Sequence, residues 1–244
     1  MPLQMNEIRD YIQSHINQFH ERRAESLRKL KLIQILKRKN PYLFRAKNIN
    51  TFHELVKHLL DAHLSSQEET IFGEFLENLA VFVCSQTYQG RKSSAEGIDL
   101  EFSKDGTHYL VSIKSGPNWG NSSQVKKMVE NFKKAQRILR SNNPGIHIQA
   151  VNGCCYGKDA NPDKGDYLKL CGQAFWEFIS GNTRLYIDLI EPLGWQAKQK
   201  NDEFYQEYDR ILNQFTIEFA NQFSLDGKID WEKLVKINSG KESL

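Results

Sequence analysis

Two short segments in the middle of the chain carry carboxylate and ammonium groups at a spacing suited to metal-assisted hydrolysis. The first is Ile98-Asp-Leu-Glu-Phe102, and the second runs from His108 to Lys114 with the sequence HYLVSIK. Because side chains alternate across a β-sheet, Asp99 and Glu101 would share one face of their strand, as would Ser112 and Lys114 of theirs. Carboxylates there can bind Mg²⁺ through oxygen, and a neighbouring lysine can orient a metal-bound water or help to deprotonate it.

A simpler interpretation of the same residues is structural. Asp99 and Lys114 would then form an ion pair across two strands at the protein surface. Such pairs contribute little to stability. The two residue types and their spacing do not decide between these interpretations, and the elements that hold them must be considered.

The hydrophobic pattern predicts an order of helix, hairpin, helix and strand around the two segments. Ser65 or Ser66 begins a helix that extends to about residue 84, and Asp105-Gly106 is typical of a hairpin turn. Ser122 or Ser123 begins a second helix that extends to about Arg140, and a strand follows at 146–151. Because a strand–helix–strand unit requires a right-handed crossover, we predict an α/β core with a central mixed β-sheet flanked by helices.

This arrangement resembles the PD-(D/E)XK nuclease superfamily. The resemblance rests on Gly97-Ile98-Asp99 in one strand and Ser112-Ile113-Lys114 at the end of the next, followed by a helix and a strand. The wider chain is similar to type II restriction endonucleases, and four stretches resemble the PmeII-like group of these enzymes. They are Asn40-Pro-Tyr-Leu-Phe44, Ser65-Ser-Gln-Glu-Glu69, 112–124 and 151–156. The resemblance implies a restriction-endonuclease-like core.

The sequence departs from the superfamily pattern at two positions. Ile98 precedes Asp99 where the pattern has proline, and Ser112 stands where an acidic residue is expected two positions before Lys114. Some members supply the missing carboxylate from the following helix. Three acidic residues remain candidates for the second metal ligand: Glu130, Glu101 and Glu68.

The resemblance implies Mg²⁺-dependent hydrolysis of phosphodiester bonds in double-stranded DNA. Asp99 would bind the metal, Lys114 would lie near the attacking water, and Glu130 or Glu101 would complete the metal ligands, with Ser112 in the same catalytic motif. Cleavage of both strands at a near-palindromic site favours a homodimer. A type II restriction system also implies a cognate DNA methyltransferase that protects the host.

Two polar loops are candidates for DNA contact. The segment SGPNWGNSSQ at 115–124 follows Lys114 directly and opens a helix whose N-terminus could bind a phosphate. The long loop at 152–167 follows a predicted strand, and loops of this length are often functional. The candidate DNA-binding residues are Asn118, Trp119, Asn121, Ser122, Gln124, Lys158 and Lys164.

Charge patterning also indicates a polyanionic partner. The formal net charge is only +3, but residues 22–47 contain ten lysines or arginines and one acid. Residues 126–140 contain six basic residues and one acid. Two basic blocks are typical of nucleic-acid contact, although solvated helix faces with nearby counter-charges would give the same pattern.

The remaining features indicate a globular cytoplasmic protein. The 244 residues include no apolar run of membrane-spanning length, no secretory signal, and four cysteines that we expect to be free thiols. We predict a helical arm at 1–63 for DNA contact or dimerisation, with helices at 4–38 and about 52–63. The nuclease core would occupy 64–155, and a recognition loop with C-terminal helices would occupy 156–244, all within one compact domain.

The sequence leaves two alternatives open. A structure-specific or repair nuclease would share the fold and lack sequence preference. A non-catalytic DNA-binding module would have lost its second carboxylate, and Ser112 is the residue that keeps this alternative open.

Overall fold

The structure is a computed structural model and describes residues 4–241. The helices in this part of the chain are α1 (Met5–Lys29), α2 (Leu32–Arg38), α3 (Pro41–Ala46), α4 (Phe52–Tyr88), α5 (Ser122–Asn142), α6 (Gln173–Ser180), α7 (Leu185–Asp188), α8 (Ile190–Leu193), α9 (Ala197–Phe223) and α10 (Trp231–Ser239). The strands are β1 (Arg91–Lys92), β2 (Leu100–Lys104), β3 (Thr107–Lys114), β4 (His147–Cys154), β5 (Leu168–Cys171), β6 (Ser224–Leu225) and β7 (Lys228–Ile229).

The chain divides into two compact units. Unit 1 contains the residues up to Ile16 and Phe72–Trp195, and unit 2 contains Asn17–Ile71 and the residues from Gln196 onward. These units do not follow the boundaries at 63/64 and 155/156, so the roles suggested above for 1–63, 64–155 and 156–244 remain predictions. Helices α1 and α4 each contribute residues to both units.

Unit 1 is built on a five-stranded mixed sheet, which confirms the predicted fold class. The strand order is β1-β2-β3-β4-β5, with antiparallel pairs up to β3 and parallel pairs from β3 to β5. Asp105 and Gly106 both have positive φ, as a two-residue hairpin turn requires. Helix α5 forms the crossover from β3 to β4, so the strands β3, β4 and β5 end at the same edge of the sheet.

Helices cover both faces of the sheet. On one face, Met128, Phe132 and Ala135 of α5 pack against apolar residues of β3 and β4. The other face carries an aromatic stack in which Phe102 and Tyr109 lie against Phe178 of α6, with Tyr88 of α4 beside Phe102. Burial on both sides explains why β3 is buried continuously from Leu110 to Ile113.

Unit 2 has a separate helical core. It is formed by the second part of α1, the first part of α4, and the helices α2, α3, α9 and α10. The aromatic residues of α9, including Phe204, Phe215, Phe219 and Phe223, are buried in this core. Their helical spacing therefore serves as a packing face, as the sequence pattern predicts.

Several predicted element boundaries were wrong. The helices expected at about 52–63 and 66–84 are one helix, because Ser66 donates to Ala62 O and Thr70 to Ser66 O within the helix instead of starting a new one. The helix predicted over 4–38 is interrupted where Lys31 adopts an extended conformation.

The polar region after β4 also contains β5, and the C-terminal region contains β6, β7 and α10, none of which the sequence pattern indicated. The terminal residues 1–3 and 242–244 of the predicted segments lie outside the described residues.

The four cysteines are free, as predicted, and all four are buried. Cys154 and Cys171 face each other across β4 and β5, and burial raises the pKa of the Cys154 thiol to about 12. Across residues 4–241, no helix has the length and apolar character needed to span a bilayer.

Candidate active site

Asp99 is fixed immediately before β2 by the neighbouring strand. Its backbone N–H donates to Val111 O at 2.9 Å, and its carboxylate Oδ2 accepts the N–H of Ile113 at 2.6 Å. The hydroxyl of Ser112, buried in β3, donates to the same oxygen over a long 3.4 Å. No hydrogen bond to Oδ1 is found within residues 4–241. One carboxylate oxygen thus holds the side chain in place, and the other is available to a ligand.

The turn into Asp99 depends on a glycine. Gly97 has φ +72°, and a Cβ on this residue would lie 2.1 Å from Nδ2 of Asn131. Asn131 is a buried polar residue of α5. The close approach of α5 to the backbone before Asp99 therefore requires glycine both for conformation and for space.

Lys114 ends β3 beside Asp99. Its Nζ lies 3.7 Å from Asp99 Oδ2 and donates to the carbonyl of Ile113 at 2.8 Å. The ammonium group also lies 5.4 Å from the centre of the Trp119 ring. Its side chain is 30% exposed and that of Asp99 is 20% exposed, so the pair is partly shielded and open to a ligand.

A buried amide ties the following loop to the sheet. Asn152 of β4 is 1% exposed, and its Nδ2 donates to Ser112 O at 3.1 Å. Its Oδ1 accepts the indole N–H of Trp119, also at 3.1 Å. The loop after Lys114 is thereby held over the site. Asn152 was not singled out in the sequence, although an asparagine in a buried strand requires a hydrogen-bonding explanation.

Glu77 of α4 is a second carboxylate at this site. Partial burial raises its pKa, and the negative charge of Asp99 raises it further, while Lys92 and Lys114 act in the opposite direction. Its side chain is 28% exposed and lies 3.6 Å from Lys92 Nζ. Glu77 thus shares an electrostatic environment with Asp99 and Lys114.

The sequence contained one signal for Glu77 that was missed. Gly73 lies inside α4, where glycine destabilises a helix unless close approach requires it. A Cβ on Gly73 would lie 2.6 Å from Oγ of Ser115, the residue after Lys114. This contact brings α4 against the end of β3, one helical turn before Glu77.

The three acidic candidates from the sequence lie elsewhere or are already paired. Glu101 accepts from Arg91 Nε at 2.7 Å and from Ser93 Oγ at 3.1 Å. Glu130 is exposed on α5. Glu68 belongs to unit 2 and accepts a hydrogen bond from Arg23. Metal binding by these residues remains a prediction.

The predicted DNA-contact residues fall into two groups. Asn121 and Gln124 form a capping box at the start of α5, Trp119 bonds to Asn152, and Lys164 pairs with Asp159 at 2.9 Å. Asn118, Ser122 and Lys158 are exposed. The first group has structural partners, while the second is accessible to a ligand.

The oxygen ligands at this site fit a magnesium ion. No group of three or more His, Cys, Asp and Glu side chains within residues 4–241 forms a ready metal site. Mg²⁺ commonly binds one or two carboxylates and takes its other ligands from water and substrate phosphate. Asp99 and Glu77, whose pKa is raised first by burial and then by the charge of Asp99, supply the two carboxylates that such a site would use.

Sequence comparison agrees with this geometry. Residues 6–201, most of the chain, match the family model of the type II restriction endonuclease EcoO109I. The chain belongs to the EcoO109I family of type II restriction endonucleases. The match confirms the resemblance to restriction endonucleases and ends within α9. No curated protein shows significant similarity to the chain. The narrower assignment to the PmeII-like group stays a prediction.

Proposed function

We propose that this member of the EcoO109I family is a Mg²⁺-dependent endonuclease that cleaves double-stranded DNA at a specific sequence. The observation that carries the proposal is the pair of Asp99 and Lys114 at the end of the central sheet, with 3.7 Å between Oδ2 and Nζ and with Glu77 in the same electrostatic surroundings. Type II enzymes act within restriction–modification systems, so we also propose a cognate DNA methyltransferase and action in the cytoplasm.

Each residue has a role that follows from its surroundings. Asp99 and Glu77 would hold the metal, which when bound lowers the pKa of an attacking water and neutralises phosphate charge. Lys114, held between Asp99 and the Ile113 carbonyl, would orient that water or stabilise the charge that develops on the phosphate. Ser112 positions the Asp99 carboxylate and supplies no charge of its own.

The proposal is tested by incubating the purified protein with unmethylated phage DNA in Mg²⁺ and, separately, in EDTA. Discrete fragments that require Mg²⁺ are expected, and mapping their ends gives the recognition sequence. A continuous smear would favour a structure-specific or repair nuclease. Absence of cleavage in several divalent metals, with DNA binding retained, would favour a binding module instead.

We further propose that the active form is a homodimer, because double-strand cleavage at a near-palindromic site needs two active sites. Light scattering after size-exclusion chromatography is expected to give twice the 28.4 kDa chain mass. A mass of one chain, both free and bound to DNA, would contradict the dimer and leave the catalytic assignment untouched.

A further inference from the structure

A basic cavity lies in unit 2, within the region formed by the second part of α1, α2 and the first part of α4. Its volume is about 400 Å³, and its lining includes Leu30 and Ile71. The polar and charged lining residues that matter here are Arg22, Glu25, Lys29, Gln34, Arg38 and His63. Three lining residues are permanent cations and one is an acid, so the cavity carries excess positive charge.

The acid does not cancel this excess. Glu25 is bound by Lys29, four residues further along α1, which holds the pKa of the Glu25 carboxyl below its usual range. Within residues 4–241, Arg38 forms no ion pair. The pKa of His63 is lowered by partial burial and then by the positive charges of Lys39 and Arg38. The electrostatic surroundings of the cavity are therefore positive.

The two basic blocks of the sequence differ in how their charge is compensated. On α5, Lys127 and Lys134 share Glu96 at 3.5 and 3.2 Å, and Lys133 pairs with Asp166 at 2.9 Å. In residues 22–47, Arg23 pairs with Glu68 and Lys29 with Glu25, whereas Lys31, Lys37 and Arg38 form no ion pair within residues 4–241. The excess of positive charge is thus concentrated in the block that lines the cavity.

The cations that line the cavity are exposed to solvent. Arg22, Lys29 and Arg38 present like charges, which repel one another, and Arg38 has no carboxylate partner within residues 4–241. Guanidinium groups match phosphate oxygens in geometry as well as in charge. A concave group of such donors is suited to a phosphate of a polyanion.

We propose that this cavity of unit 2 binds a backbone phosphate of duplex DNA. The inference rests on the proposed function for its choice of ligand. Its contribution is independent of sequence, because backbone contacts fix position and affinity while base contacts give specificity. Arg38 is the central residue, since it lines the cavity and has no competing carboxylate in the described part of the chain.

The test measures how DNA affinity depends on salt. Binding of a fluorescein-labelled duplex of unrelated sequence is followed by anisotropy in EDTA, between about 50 and about 200 mM KCl. Because one phosphate contact contributes about 0.9 to the slope of log affinity against log salt, Arg38→Gln is expected to reduce that slope by about 1, and Arg22→Gln/Arg38→Gln is expected to reduce it no further. At about 0.1 M KCl, loss of this contact is expected to lower the affinity roughly tenfold.

A matched control removes the same charge from unit 2 outside the cavity. Lys228 and Lys233 are exposed on β7 and α10, and Lys228→Gln/Lys233→Gln is expected to leave the slope within about 0.5 of the wild-type value. Thermal unfolding of all variants checks that they fold. An unchanged slope in the Arg22/Arg38 variant, or an equal decrease in the control, would overturn the proposal.

Further measurements distinguish a DNA phosphate from a small phosphate ligand, and the cavity proposal from the endonuclease proposal. If ATP or inorganic phosphate stabilises the wild type and Arg38→Gln abolishes this effect without altering the DNA salt slope, the cavity is a small-anion site and the DNA proposal fails. If the wild type cleaves DNA and the Arg22/Arg38 variant has an unchanged salt slope, only the proposal for the cavity is refuted. If the variant has a reduced slope and the wild type cleaves DNA in no metal, the proposed endonuclease activity is refuted and the proposal for the cavity stands.

Discussion

The side chains of Asp99 and Lys114 are held in place by different contacts. The Asp99 carboxylate is held by a backbone N–H and a buried hydroxyl, whereas the Lys114 ammonium is held by one carbonyl and by Asp99 itself. Removing Asp99 therefore frees Lys114 to move, while removing Lys114 leaves Asp99 in place. Each change removes a charged group from the site. Only the loss of Asp99 is expected also to shift the remaining partner, Lys114.

Asp99→Asn and Lys114→Met are each expected to lower the cleavage rate by roughly 10²- to 10⁴-fold, because each removes a charged group from the reacting centre. Initial rates on plasmid DNA in Mg²⁺ measure the loss, and circular dichroism checks the fold. A variant at either position that cuts at the wild-type rate would show that the assignment of that residue is wrong.

Glu77→Gln tests whether the second metal ligand is Glu77 or one of the carboxylates that the sequence suggested. We expect cleavage to fall by about 10²-fold or more, because a metal ligand is removed. Metal-free stability at neutral pH is expected to stay equal or rise, because the variant removes a charge that burial and then repulsion by Asp99 disfavour, as the raised pKa of Glu77 indicates. Cleavage rates and thermal unfolding midpoints are measured on the same preparation.

The corresponding changes at Glu101 and Glu130 provide the comparison. Glu101→Gln weakens contacts with Arg91 and Ser93, and Glu130→Gln alters an exposed position on α5. Both are expected to reduce cleavage less than Glu77→Gln does. A larger loss at Glu130 would restore the sequence-based assignment of the second ligand to α5.

At the scale of elements, the hairpin, α5 and β4 were predicted from the sequence, since each has a strong period or turn signal. The same signals predicted that Asp99, Ser112 and Lys114 would meet, because strand pairing follows directly from the turn at 105–106. Glu77 could not be found in this way. Its position depends on how α4 packs against the sheet, and that register comes from tertiary contacts such as the one between Gly73 and Ser115.

The short elements were missed for a different reason. β5 has only four residues, and it is a strand because it pairs with β4. The continuity of α4 was missed because Ser65 and Ser66 resemble a helix start, although a serine can also bond back to the preceding turn. Local preference does not distinguish these two uses of serine.

The contact between β4 and α6 predicts a stability change. A Cβ on Gly153 would lie 2.2 Å from the buried Phe175 ring, so Gly153→Ala is expected to cost about 1–3 kcal/mol through overpacking. Gly145→Ala is the control, because its nearest atom would be 3.9 Å away, and it is expected to change stability by less than about 0.5 kcal/mol. Urea unfolding measures both, and equal effects would contradict the packing argument.

The acid sensitivity of the folded chain follows from two histidines of unit 2. The pKa values of His20 and His63 are both lowered, first by partial burial and then by nearby cations, including Arg23 for His20 and Lys39 for His63. The unfolded chain thus takes up protons at a higher pH than the folded chain does. Stability is fully retained above about pH 6.5 and falls as the pH decreases below it.

We expect the thermal unfolding midpoint to be lower at pH 5.5 than at pH 7.5, and His63→Gln to narrow that difference. Glu77 acts in the opposite direction, since its raised pKa means that the folded chain holds its proton more tightly as the solution becomes acidic. Glu77→Gln is therefore expected to widen the difference. A midpoint that does not change between the two pH values would contradict the role of the histidines.

The burial of every cysteine has a practical consequence for following this protein on DNA. Thiolates react with maleimides and protonated thiols do not, and burial both shields these sulfurs and raises the pKa values of Cys84 and Cys154 to about 12. A single cysteine introduced at an exposed position such as Lys228 would react selectively in the folded protein. A fluorophore could thus be attached to the otherwise native chain. On heating, reaction of the maleimide with the four native cysteines as well would report unfolding.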